Sequence, residues 1–143
     1  MLIAIIGENC AGKTTLANAI NKSLNAKVFA GKDYLRLAKS PAVSEQEFTK
    51  LLSAAVSGDN LIYIITESTH LGLLPTGAFK IVITAPLETI KERFKARMRG
   101  NLPPPVEKML KKNHGIFDGL DCNLMLDQNY NVSEVLSKIK NTL

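Results

Sequence analysis

The chain has 143 residues, enough for one domain around one core that needs no disulfide or metal staple. An apolar content of 45% sets aside disordered and fibrous classes, and the opening apolar run is too short for a signal core or for a membrane span of about 20 residues. The net charge of +5 and a pI near 9.3 call for an anionic partner, while 6% aromatic content without Trp gives little support for stacking on nucleic-acid bases.

Leu2 to Ile6 is an unbroken apolar run, the pattern of a strand buried on both faces. Gly7 to Gly12 is a turn-rich loop, and a helix from Lys13 to Leu24 repeats Leu16, Ile20 and Leu24 at four-residue spacing. Lys27 to Ala30 reads as a short second strand and Asp33 to Ala38 as a helical turn, with a break at Ser40-Pro41. The next helix is expected to start at Ser44, with Ser44 and Glu47 as a reciprocal capping box, to bury Phe48, Leu51, Leu52 and Ala55, and to stop at Gly58. Leu61 to Thr66 and Phe79 to Thr84 are again buried strands. Pro86 opens a helix with the stripe Leu87, Ile90, Phe94 and Met98, which Gly100 closes. Asn101 to Pro105, with its three consecutive prolines, reads as a loop, followed by a short helix around Val106 to Lys112. Asn123 to Leu126 is a last strand, and Asn131 caps a terminal helix carrying Val135, Leu136 and Ile139. Strands alternating with helices predict an α/β domain over 1–143 with a mainly parallel sheet of about five strands.

Gly7-Glu8-Asn9-Cys10-Ala11-Gly12-Lys13-Thr14 matches the phosphate-loop pattern G-x-x-x-x-G-K-[ST], and it lies between a buried strand and a helix. The glycines let the backbone curl so that the amides of Asn9, Cys10, Ala11 and Gly12, and those of Lys13, Thr14 and Thr15 at the helix start, turn toward phosphate oxygens. Lys13 would contact the β- and γ-phosphates and the Thr14 hydroxyl would ligate Mg²⁺, which makes ATP and Mg²⁺ the expected ligands. A dinucleotide fold is disfavoured because G-x-G-x-x-G is missing, and a GTPase because no [NT]KxD follows the fourth strand.

With these residues the sequence resembles the small P-loop kinases of the adenylate kinase and shikimate kinase type, in element order and length over essentially the whole chain. The resemblance implies a three-layer P-loop fold with a short lid at roughly 98–113, substrate-side helices at roughly 33–58, and phosphoryl transfer from Mg-ATP to a small acceptor. Asp33-Tyr34-Leu35-Arg36 looks like the family's substrate-side D-x-x-R, which implies that Asp33 orients or deprotonates the acceptor and that Arg36 anchors it. The same spacing also fits a surface i,i+3 ion pair. Arg93 and Arg97, four residues apart before the Pro-rich segment, look like lid arginines, with Arg93 near the adenine and Arg97 on the transferring phosphoryl group; a solvated basic face is the other reading. Glu67, just past the third strand, is placed to hold an Mg²⁺-bound water, although many relatives carry Asp there. Cys10 stands where many relatives have Gly, as a small tolerated side chain or as an oxidisable thiol.

The remaining titratable residues invite plainer readings. His70 suits a surface or cap position, although contact with the acceptor is also open to it; His114 suits a helix end, and Cys122 strand-edge packing. Cys10 and Cys122 fit no zinc or CxxC spacing, which suits a reducing compartment. The expectation is a cytoplasmic kinase acting on a small hydroxyl or nucleotide acceptor, with no membrane partner and nucleic acid disfavoured. A nucleotide-binding switch without a small acceptor, or a kinase acting on nucleic-acid ends, are the rival readings.

Overall fold

The computed structural model describes residues 1–142. Five strands, β1 (Leu2–Ile6), β2 (Lys27–Ala30), β3 (Leu61–Ile65), β4 (Phe79–Ile83) and β5 (Leu124–Leu126), form one sheet in the order β2-β3-β1-β4-β5. Every pairing is parallel, with Ile6 opposite Ile65 and Val82 at the carboxyl ends. Parallel strands need helical crossovers, and those crossovers cover both faces of the sheet, so β1 and β3 are apolar at every position.

Alternation along each strand sends side chains into two cores. Ile3, Ile5, Ile62, Ile64, Ile81 and Ile83 face the helices α1 (Lys13–Leu24) and α5 (Val132–Asn141), which contribute Leu16, Ala17, Ile20, Val135 and Ile139. Leu2, Ala4, Ile6, Tyr63, Ile65 and Val82 face Phe48, Leu52 and Ala55 of α2 (Pro41–Ala55). The result is a three-layer α/β fold. A further pair of helices, α3 (Leu87–Arg97) and α4 (Pro104–Asn113), follows β4. Lys91 joins them, 3.4 Å from Glu107.

Several local expectations change. α2 begins at Pro41, three residues earlier than expected, because the Ser40 hydroxyl accepts the Val43 N–H and Pro41 takes the first helical position. Ser44 is therefore no cap. It is fully buried, accepts the Ala38 N–H at 3.0 Å and lies within 3.2 Å of the Leu35 and Ala38 carbonyls, fastening the 3-10 turn Asp33–Leu37 onto α2. Pro104 and Pro105 belong to the first turn of α4, where a missing N–H costs nothing, and are not part of a loop. In α3 Ile90 is buried, whereas Leu87 and Phe94 are half-buried and Met98 is exposed. The expected stripe is thus shallow, and the helix stands out from the core. Among the described residues no helix is long and apolar enough to cross a membrane.

Candidate active site

The site forms at the carboxyl end of the sheet, where β1 runs into residues 7–12. Gly7 donates to the Ile65 carbonyl at 3.1 Å and approaches β4 so closely that a Cβ there would lie 2.7 Å from the Ile83 carbonyl oxygen. Gly12 has φ +98° at the entry to α1, a left-handed conformation that glycine alone adopts without strain. Cys10 also sits in the left-handed region, at φ 62°, and is buried. A non-glycine residue there costs on the order of 1–3 kcal/mol. The loop thus keeps the backbone shape a glycine would adopt, although a cysteine occupies the position.

α1 opens on the loop with no side-chain cap on its N-terminus and no acid in its first turn. The amides of Lys13, Thr14 and Thr15 have no backbone acceptor among the described residues, which leaves them available to an anion. Lys13 is buried, and its ammonium donates to the Glu8 carbonyl at 2.6 Å, so its charge lies inside the curl of the loop. Burial lowers its pKa from 10.5 to about 8, and Arg97 adds to the depression while Cys10 and Glu8 oppose it. Thr14 and Thr15 are exposed on the first turn, with Thr14 directly after the lysine. A buried cation without a carboxylate partner, a run of free amides and an accessible hydroxyl form a donor set that fits a polyphosphate with its Mg²⁺.

Two clefts flank this loop. The smaller, about 530 Å³, is lined by Cys10, Gly12, Thr15, Arg93, Arg97 and Tyr130 among others. The structure therefore brings both α3 arginines beside the phosphate loop, and Arg93 donates to the Cys10 carbonyl at 3.0 Å. The larger, about 650 Å³, runs from Asn9 across the segment after β2 and that after β3 to α4. Glu67 lines it, two residues beyond the end of β3.

Asp33 and Arg36 form the i,i+3 ion pair that their spacing also allowed. They converge on each other, 3.3 Å apart, with Arg36 80% exposed, and neither lines either cleft. The second carboxylate oxygen of Asp33 accepts the Ala30 N–H at 3.0 Å, so the side chain braces the backbone that carries Gly31 and Lys32 to the cleft rim. His70 departs from its surface reading. It is 7% exposed and lines the larger cleft, packed near Tyr34 and Tyr63, and its Nδ1 has no hydrogen-bond partner.

Sequence reasoning missed two anchors of the loop. Gln128, after β5, donates to the Ala11 and Thr84 carbonyls at 2.9 and 2.8 Å, tying the loop to the end of β4. The Glu8 carboxylate accepts the Gly115 N–H at 3.1 Å and lies 3.0 Å from His114 Nδ1, tying the loop to the end of α4. The contacts of Gln128 with Ala11 and of Glu8 with His114 and Gly115 each span more than a hundred residues, and Glu8 occupies a position the motif leaves free. No sequence spacing could have announced them.

No family model and no curated protein matches the sequence. Solved structures do match it. A gluconokinase from Sinorhizobium meliloti aligns with 99% of this chain and 90% of its own at a TM-score of 0.61 and 11% identity. The shikimate kinase of Acinetobacter baumannii, in complex with shikimate, aligns with 97% of this chain and 90% of its own at 0.63 and 16% identity. The deoxyadenosine kinase of M. mycoides, with bound dATP, aligns with 99% of this chain and 98% of its own at 0.53 and 19% identity. The chain has the fold of the P-loop small-molecule kinases.

Proposed function

We propose that this protein is an ATP-dependent kinase that moves the γ-phosphate of Mg-ATP to a small acceptor. The observation that carries the reading is the pair of clefts meeting at one phosphate loop: Cys10 and Gly12 wall one of them and Asn9 the other. A nucleotide switch needs a single nucleotide pocket. A transferase needs two, converging on the γ-phosphate. The similarity to solved gluconate, shikimate and deoxyadenosine kinases supports the same reading.

In this reading the smaller cleft takes the nucleotide, with Arg93 beside the base and Arg97 against the transferring group. The amides of residues 9–15 and the Lys13 ammonium hold the phosphates, and Thr14, with Glu67 through a water, would hold Mg²⁺. The metal, when bound, neutralises charge on the β- and γ-phosphate oxygens. Glu67 is the carboxylate lining the larger cleft among the described residues. Its oxygens suit it to receive the hydrogen bond, and then the proton, of the acceptor hydroxyl. Asp33, held by Arg36 and the Ala30 amide, positions the cleft rim, and Arg36 contributes through Asp33. Catalysis is then mostly alignment and charge neutralisation. The α3–α4 hairpin acts as the lid, and its closure limits transfer to water.

The test is ADP release by the purified protein with Mg²⁺ against a panel of nucleosides, nucleoside monophosphates, hydroxy acids and sugars. Stimulation by one class, lost in Glu67→Gln with ATP still bound, is the expected result. Equal slow hydrolysis with every member, unaffected by that substitution, would favour the switch.

A further inference from the structure

The two clefts differ in chemistry, and the difference narrows the acceptor. The charged groups lining the larger cleft are Lys32 on one side and Glu67 on the other, so their formal charges cancel. No arginine among the described residues lines it: Arg93 and Arg97 line the other cleft, and Arg36 is engaged with Asp33. A phosphate monoester or a carboxylate offers acceptor oxygens alone, and proteins hold such groups with guanidinium forks or clustered N–H donors. This cleft offers instead the hydroxyls of Ser68 and Thr69 and the amides of Asn9 and Asn113, groups that both donate and accept. An alcohol is their complement, because it too does both.

His70 supplies an independent sign. A nine-tenths buried imidazole in a cleft wall with an unpartnered Nδ1 is an uncommon state in a folded protein, and it leaves His70 with hydrogen-bonding capacity that no protein group uses. Met109 and Ile116, 39% and 45% exposed, give the cleft an apolar side suited to the C–H face of a ring.

We propose that the larger cleft binds an uncharged, multiply hydroxylated ring as the phosphate acceptor, with His70 as a residue that selects it. A free sugar and the ribose of a nucleoside share this chemistry. The transfer step rests on the kinase reading above; the binding step does not. In that step the acceptor oxygen bonds to the γ-phosphorus as the bond from the β,γ-bridging oxygen to that phosphorus breaks. The hydroxyl proton passes to Glu67 and then to solvent, leaving ADP and a phosphate monoester.

Direct binding separates the two ideas. Glucose, ribose, adenosine and thymidine, with AMP, shikimate and gluconate as charged counterparts, are titrated by calorimetry into the protein saturated with Mg²⁺ and a non-hydrolysable ATP analogue. Product formation is then followed with ATP. A neutral member should bind, and sugar against nucleoside identifies the source. His70→Ala should raise its Kd and KM at least tenfold while the ATP Kd stays unchanged, and His70→Gln, which keeps an N–H, should recover part of the loss. Should His70→Ala fail to fold, the exposed pair Ser68→Ala and Thr69→Ala provides the same comparison. Neutral binding without phosphate transfer keeps the acceptor class and overturns the kinase reading. Preferential phosphorylation of a charged member keeps the kinase reading and overturns the acceptor class, as does the absence of binding by every neutral member.

Discussion

Lys13 combines opposite demands in one side chain. Its burial disfavours the ammonium form, yet the ammonium is the form that binds phosphate. Between pH 8 and pH 10.5 the unfolded chain retains a proton that the folded chain has released, so the stability of the unliganded protein gains from Lys13 as pH rises through that window. ATP affinity runs the other way: flat below about pH 8, then weakening with pH by up to about tenfold per unit, measurable by titration calorimetry. Lys13→Met should abolish ATP binding while raising the melting temperature of the unliganded protein by a few degrees, roughly 1 kcal/mol or more, because an unpaired buried charge is gone. A fall in melting temperature would contradict the claim that the lysine is held at a cost. The glycines and the lysine of the loop were legible in the sequence because their roles follow from backbone geometry and charge alone. That Cys10 adopts a left-handed φ was not, since nothing in a cysteine announces it.

At the scale of elements, Ser44 joins the 3-10 turn Asp33–Leu37 to α2 from within the core. Ser44→Ala leaves the Ala38 amide without its acceptor and should cost about 1–3 kcal/mol by chemical denaturation, without changing ATP affinity. The sequence placed the helix here but misjudged its start. A serine followed three residues on by Glu47 carries a capping signal, and the competing cap at Ser40 with Pro41 is recognised only when the buried position of Ser44 is seen. Arg93 and Arg97 both stand on α3, where Ile90 is the one fully buried residue. Arg97→Ala should lower kcat by about 10²–10³ with little change in ATP affinity, whereas Arg93→Ala should chiefly weaken ATP binding. Equal effects of both substitutions on both constants would contradict the division of roles. Four-residue spacing made the arginine pair visible, but the linkage of the loop to α4 through Glu8, His114 and Gly115 came from tertiary contact.

The whole molecule reads as a parallel sheet that presents one loop to two clefts. The strands and their parallel pairing were legible because buried parallel strands are apolar at every position and the helices between them carry a four-residue period, whereas the order of the strands was not. The cleft chemistry was not, because Asn9, Lys32, Glu67, His70 and Asn113 meet across four separate segments. Mg-ATP at about 100 times its Kd should stabilise the fold by about 2.7 kcal/mol, a rise in melting temperature of roughly 5–10 °C for a chain of this size, and Lys13→Met should show no such rise. The central claim, that the γ-phosphate is delivered to a small molecule and not to water, is tested most directly by following label from γ-labelled ATP in the presence of Mg²⁺ and the acceptor panel. The account predicts label in an organic phosphate monoester, formed faster than inorganic phosphate and lost in Glu67→Gln. Label found in inorganic phosphate alone, at a rate that no acceptor changes, would contradict it.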